Sequence, residues 1–558
     1  MNRPLSDRRK SAAASVRDRA PARPAASGAR GLVWIAVVLL AAAALRLPAV
    51  FWKLPGETTQ LNTYNSDEYT ILVSIQAMDP SRLDFNPVSE KDPLALSGGT
   101  FHTYLYAAAL KALSLSGWLK LVPDKEFYYS HPEEWGRFYI AGRGLSAAFG
   151  LLTIWVVYLL GRRTYGETAA VFAAMLLAVM PSHIVYSAYL VKNVPETFWA
   201  ALSLYFLWKA AESGGGGDFF LGGACAGLAT ATRFSSAPLL AMIPVALLMR
   251  PAGERSPLKA LSAAGAAALF FLATSPYTIL DYPSFAKGIE LIKTTAAGLR
   301  HADGPLEKLF AVSLSAAEGF GVPALLACLA GAALAVKART RADWFVMAWV
   351  LLMSLIFAKA GRESTAGRIL PLMPMAALLG GRFLAAALGR RPVAAWLALA
   401  VILAHAAVFN AEYLRLRGAP DIRDLASGWL ERNVPPGSSI GMAREPSWFN
   451  PGLVERHYRH PDHGLLNGAA IVSVSSSDWV SFGDIALLKE KRPDFVLISD
   501  LEAKVIGRPG AFREILEAGY SEAASFSSAF SRAAAWPLPA VPTPILYTPG
   551  EIRIFRRV

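Results

Sequence analysis

Long, nearly charge-free apolar runs recur along this chain, and they leave few folds open to it. Leu32–Leu45, Gly144–Leu160, Ala169–Ile184, Ala260–Thr274, Phe345–Ala358, Ile369–Leu379 and Val393–Val408, taken with their flanks, each reach about 16 to 25 residues. A helix of that length crosses roughly 30 Å of hydrocarbon and satisfies its own backbone hydrogen bonds on the way. A soluble chain of 558 residues would divide into domains with charged surfaces, yet only 17% of residues here are charged. The fold class expected is mainly α, a polytopic transmembrane bundle of about eleven to thirteen helices, followed by a soluble α/β domain.

Charge sets the expected sides. Lysines and arginines exceed acids to give a net charge of +13. In a membrane chain this points to cytoplasmic loops rather than to nucleic acid. Residues 1–30, rich in Arg, Ala, Pro and Ser, read as a disordered cytoplasmic tail, and residues 31–412 as the membrane domain. Arg162 and Arg163, Arg250 to Lys259, Lys337 to Arg341, and Arg390 with Arg391 then mark inner loops. Segment 53–98 and the loops at 186–196, 277–308 and 359–368 fall outside. Whether 101–122 crosses stays open. Phe285, Ile289 and Ile292 share a helical face and suggest an interfacial helix. Residues 413–558 read as an extracytoplasmic α/β domain. Its expected elements are a helix over Asp421–Arg432 capped by Asp421, strands at Ser439–Met442, Ile471–Val474, Phe495–Ser499 and Ile552–Phe555, and a helix at Ala511–Ala518.

Three polar clusters interrupt the outer side. The first holds Asp67 and Glu68, a pair able to supply a base and to hold a cation, or simply favoured at a helix N-terminus. The second, Tyr186–Glu196, contains Lys192, Asn193 and Glu196; Lys192 is able to neutralise a phosphate, or to snorkel at the interface. The third, Lys359–Arg368, places Arg362 and Arg368 outside, against the trend of charge, and a guanidinium fork matches phosphate. Lipid headgroups are its other reading. His102, Tyr104 and His301 are further outer-side candidates, and His457, His460 and His463 form no recognised zinc pattern.

In order and spacing these clusters resemble the bacterial GT-C membrane glycosyltransferases of the protein-mannosyltransferase type, family 39, a group that includes aminoarabinose transferases. The resemblance spans roughly residues 32–410 and rests on Ser66-Asp67-Glu68, Gly142-Arg143-Gly144, Gly161–Gly166, Pro181–Ser187, Gly227–Arg233, Ser275-Pro276-Tyr277 and Arg368–Pro374. It implies a polyprenyl-phosphate sugar donor, inversion at the sugar carbon, and a lipid, polymer or protein acceptor on the extracytoplasmic side of a bacterial inner membrane. Asp67 matches the family's catalytic aspartate, and Glu68 would support it. Arg368, with Arg362 or Lys192, would hold the donor phosphate. Many relatives have Asp where this chain has Asn193, which cannot act as a base or an anionic metal ligand. The resemblance therefore leaves a divalent cation open, with Glu68 and Glu196 as its ligands. A transporter or flippase of a lipid-linked saccharide is the alternative, although no paired halves are evident.

Overall fold

The computed structural model describes residues 28–55, 63–90, 92–299, 304–360, 367–435, 437–442, 470–473, 486–500, 502, 509–528 and 550–558. Helices dominate, and the apolar runs become α1 (Ala29–Val50), α4 (Pro132–Thr164), α5 (Glu167–Val179), α6 (Asn193–Ser213), α7 (Gly216–Thr232), α8 (Pro257–Thr274), α11 (Val322–Ala338), α12 (Arg341–Ala360), α13 (Met373–Arg390) and α14 (Pro392–Gly418). Between them lie α2 (Ser66–Gln76), α3 (Phe101–Leu115), α9 (Tyr282–Leu299) and α10 (Pro305–Phe320). Proline opens α4, α8 and α14, where its missing N–H costs nothing. Gly214, at φ 69°, closes α6 in the left-handed conformation and returns its N–H to Ala210.

Among the described residues six helices are long and apolar enough to cross a membrane, and a pair bent by 110°, Val312–Phe320 with Val322–Ala338, makes a seventh if it is one span. Glu167–Val179 and Phe234–Leu248 are shorter apolar helices. Segment 101–122 yields the 15-residue α3, too short to span alone.

The basic loops gather at one end of the bundle. There Arg163 pairs with Glu212 at 3.1 Å, and Arg341 donates to the Ala211 and Met249 carbonyls at 3.2 and 2.5 Å. Lys259 caps Gly214 at 2.6 Å, Tyr165 reaches Asp343 at 3.1 Å, and Arg382 pairs with Asp343. Helix packing relies on small residues. Gly223 and Gly227 of α7 lie against the Ala263 and Ala267 carbonyls of α8 so closely that any Cβ would overlap them.

Past α14 the chain forms a mixed five-stranded sheet in the order β2-β1-β3-β5-β4, from β1 (Ser439–Met442), β2 (Ala470–Ser473), β3 (Phe495–Ser499), β4 (Tyr520–Ser527) and β5 (Glu551–Arg557). β1 runs parallel to β2 and β3, whereas β5 is antiparallel to β3 and β4. α15 (Ile422–Asn433) covers one face, packing Ile422, Ala426 and Leu430 on Phe495, Leu497, Ile552 and Ile554. α16 (Pro509–Gly519) lies on the other, where Leu516 meets Val496 and Ile498. Being buried on both faces is why β3 is apolar from Phe495 to Ile498.

Candidate active site

α2 begins just after Asn65, whose side chain accepts from the Asp67 N–H at 3.0 Å. Both acids stand in the first turn, where the unsatisfied N–H groups favour negative charge. One residue apart on a helix, they face different ways. Asp67 is exposed, while Glu68 is fully buried. Glu68 receives Nε of Arg143 at 2.7 Å and Nη2 at 2.8 Å, the Thr63 hydroxyl at 2.8 Å and the Leu190 N–H at 2.9 Å. Arg143 spends further donors on the carbonyls of Val50 at 3.1 Å and Trp52 at 2.5 Å. Removing either partner of such a buried pair strands the other, at a cost of about 3–5 kcal/mol.

The segment after the short helix Pro181–Tyr186 is a hub at this end of the bundle. Leu190 meets Glu68 of the first cluster, as above. Lys192 donates to the Gly99 carbonyl at 2.7 Å. Gly99 lies at φ 82° against the backbone of Ala231, so a side chain there would be both strained and blocked. Burial lowers the Lys192 ammonium to about 8; Asp92 nearby opposes that shift and Arg233 adds to it. Asn193 donates to the Gly367 carbonyl at 2.9 Å, next to Arg368, which is exposed. Glu196 is 1% exposed and accepts from Ser235 at 2.6 Å and Ser236 at 2.8 Å, with Arg233 at 3.8 Å. The three clusters, far apart in sequence, therefore share one end of the fold.

His102 is buried against Phe149, and neither ring nitrogen is hydrogen-bonded. Tyr104 donates to the Phe85 carbonyl at 3.1 Å. Of the candidate site residues it alone lines an apolar cavity of 1260 Å³ bounded by α2, α3, the 78–85 loop, Trp135, Phe138 and Tyr277. Lys111 is the cavity's cation. His301, Arg362 and the histidines at 457, 460 and 463 lie outside the described residues.

The expected cation ligands do not fit a metal. Both oxygens of Glu68 are engaged by Arg143, Thr63 and Leu190, while Oε1 of Glu196 takes two serine hydroxyls and Arg233 stands 3.8 Å from its Oε2. Among the described residues no group of three or more His, Cys, Asp or Glu is placed to hold an ion. Glu68 ties the start of its helix to Arg143. Two residues of this site, Arg143 and Arg233, escaped the sequence reading as site residues although both lie in its quoted motifs. Their partners are 75 and 37 positions away, and no local pattern announces them.

Residues 139–279 match the model of the dolichyl-phosphate-mannose-protein mannosyltransferase family. No curated protein matches the chain by sequence. Solved structures similar to it include ArnT from Cupriavidus metallidurans in the apo state, at 13% identity, covering 94% of this chain and 97% of that one, with a TM-score of 0.49. The same protein bound to undecaprenyl phosphate aligns at 14% identity over 95% and 98% of the two chains, TM-score 0.49. The oligosaccharyltransferase AglB from Archaeoglobus fulgidus, in complex with an inhibitory peptide and a dolichol-phosphate, aligns at 14% identity over 92% and 75%, TM-score 0.45. Residues 139–279 thus carry the sequence pattern of the dolichyl-phosphate-mannose-protein mannosyltransferase family.

Proposed function

We propose that this chain is an inverting glycosyltransferase that moves a sugar from a polyprenyl-phosphate carrier to an acceptor at the extracytoplasmic face of a bacterial inner membrane. In this reading residues 31–412 form the catalytic membrane domain and residues 413–558 an extracytoplasmic one, with the N-terminus in the cytoplasm. The observation that carries it is the meeting of the three polar clusters around 186–196, which sets an exposed carboxylate and several cations at one end of an apolar bundle. A phosphate-linked lipid donor is the class in the matched family's name.

The chemistry follows from charge. Asp67 accepts the proton of the acceptor hydroxyl as its oxygen attacks the anomeric carbon. The bond from that carbon to the phosphate oxygen breaks, and the leaving phosphate gains negative charge. Lys192, Arg233 and Arg368, with Arg362 of the same cluster, stabilise it. The apolar cavity beside α2 accommodates a hydrocarbon chain, with Tyr104 and Lys111 on its wall. Glu68 and Arg143 hold geometry, and Glu196 and Asn193 fix the turns that present Arg233 and Arg368.

Purified protein in detergent, offered labelled polyprenyl-phosphate sugars and envelope lipid, provides the test. Wild type transfers sugar, and Asp67→Asn abolishes transfer while still binding the carrier. Retained transfer in that variant rejects Asp67 as the base. Carrier movement across vesicles without any transfer favours the flippase instead.

A further inference from the structure

The loop that leads into α2 is closed at its base by the C-terminal domain. Asp424, in the first turn of α15, receives Lys53 on Oδ2 at 2.5 Å and the Tyr64 hydroxyl on Oδ1 at 2.5 Å. Both precede Asp67 in the chain, and a single carboxylate joins them. Its neighbours make the joint stiff. Arg423 lies 3.5 Å above the Tyr64 ring and is itself gripped by both oxygens of Asp421 at 2.7 Å each. Arg417, at the end of α14, stacks 3.5 Å from the Trp52 ring and bonds the Tyr189 hydroxyl. Burial keeps the Tyr64 phenol well above its ordinary range, so it remains a donor to Asp424.

Beneath this joint Arg143 binds the Val50 and Trp52 carbonyls together with Glu68, one residue from Asp67. Trp52 is thus held by Arg143 of the membrane domain, and Lys53 and Tyr64 by α15. Arg143 fixes Glu68 at the helix start, but Tyr64, the residue before the capping Asn65, is held from the side of α15. We propose that Asp424 is a positioning residue, through which the C-terminal domain sets the orientation of the Asp67-bearing helix. The inference rests on the reading of Asp67 as the acceptor-activating carboxylate. It gives the C-terminal domain a part in the transfer step itself.

The test uses full-length protein in detergent, as wild type, Asp424→Asn, Asp424→Glu and the smaller change Tyr64→Phe. Amide hydrogen exchange across 66–76 is read together with transfer kinetics. Asp424→Asn is expected to speed exchange in α2 by about threefold or more, with α4 and α13 unaffected. It is expected to lower kcat about tenfold or more while donor KM stays within about twofold, because misplacement harms the step and not carrier binding. Asp424→Glu recovers part of kcat, and Tyr64→Phe falls between. If Asp424→Asn does not fold, Tyr64→Phe decides alone. Wild-type exchange in α2 overturns the proposal, and so does faster exchange with unchanged kcat. A wild type that transfers no sugar refutes the transferase reading, and with it a role in transfer for Asp424; the exchange result then shows separately whether the joint holds α2.

Discussion

Asp67 and Glu68 are neighbours in sequence and opposites in surroundings. A helix turns successive side chains by about 100°, so one acid enters the bundle and the other stays at its surface. The buried one has a guanidinium, a hydroxyl and an N–H on its oxygens. Lys192 presents a different case, a cation held near its point of neutralisation. Its ammonium is lowered to about 8, so it is charged below that pH and progressively neutral above it. The donor's phosphodiester keeps one negative charge throughout this range. Raising the pH from about 7 to about 9 is therefore expected to raise donor KM, by up to about tenfold, as the attraction is lost. Lys192→Arg keeps its charge and flattens that profile. A profile with the same slope in both proteins removes Lys192 from the donor site.

Elements of this fold are held together less by matched charges than by close approach. In a bilayer, apolar surface gains nothing by leaving lipid, so helices associate through packing and need small residues at the contact. α7 and α8 meet in this way, with Gly223 and Gly227 against backbone. Gly223→Leu forces the two helices apart and is expected to abolish recovery of monodisperse protein after extraction. The same change at Gly216, around which nothing lies within 4 Å, is expected to be tolerated. Equal recovery of both variants, followed by gel filtration, contradicts that packing. In the C-terminal domain, β1 and β3 stand where apolar runs predicted them, while β2 and β5 are displaced or extended by one or two residues. β4 went unpredicted: its sequence, Tyr-Ser-Glu-Ala-Ala-Ser-Phe-Ser, is polar because it is an edge strand, and its register slips at Glu522 and Ala524.

At the scale of the molecule, contacts sort into two ends. One joins Arg163, Glu212, Arg341 and Asp343; the other joins Glu68, Leu190, Lys192, Gly99 and Gly367. The proposed orientation puts the first in the cytoplasm. Cys225 and Cys328 are both buried, which leaves a low background for single-cysteine labelling. Arg82→Cys is expected to react with an impermeant maleimide on intact cells, and Arg391→Cys only after lysis. The reverse pattern inverts the orientation. The sequence by itself determined the membrane class, the bundle's basic end, the family resemblance and the C-terminal change to α/β. Those properties are written in local composition: apolar length, loop charge, caps and short motifs. Tertiary structure decided the rest. It assigned Glu68 to Arg143, tied Asn193 to Gly367 and Glu196 to Ser235 and Ser236, and set Asp424 across the loop before Asp67. Each joins residues far apart in the chain, and the burial that separates a structural carboxylate from a chemical one exists only after the helices have packed.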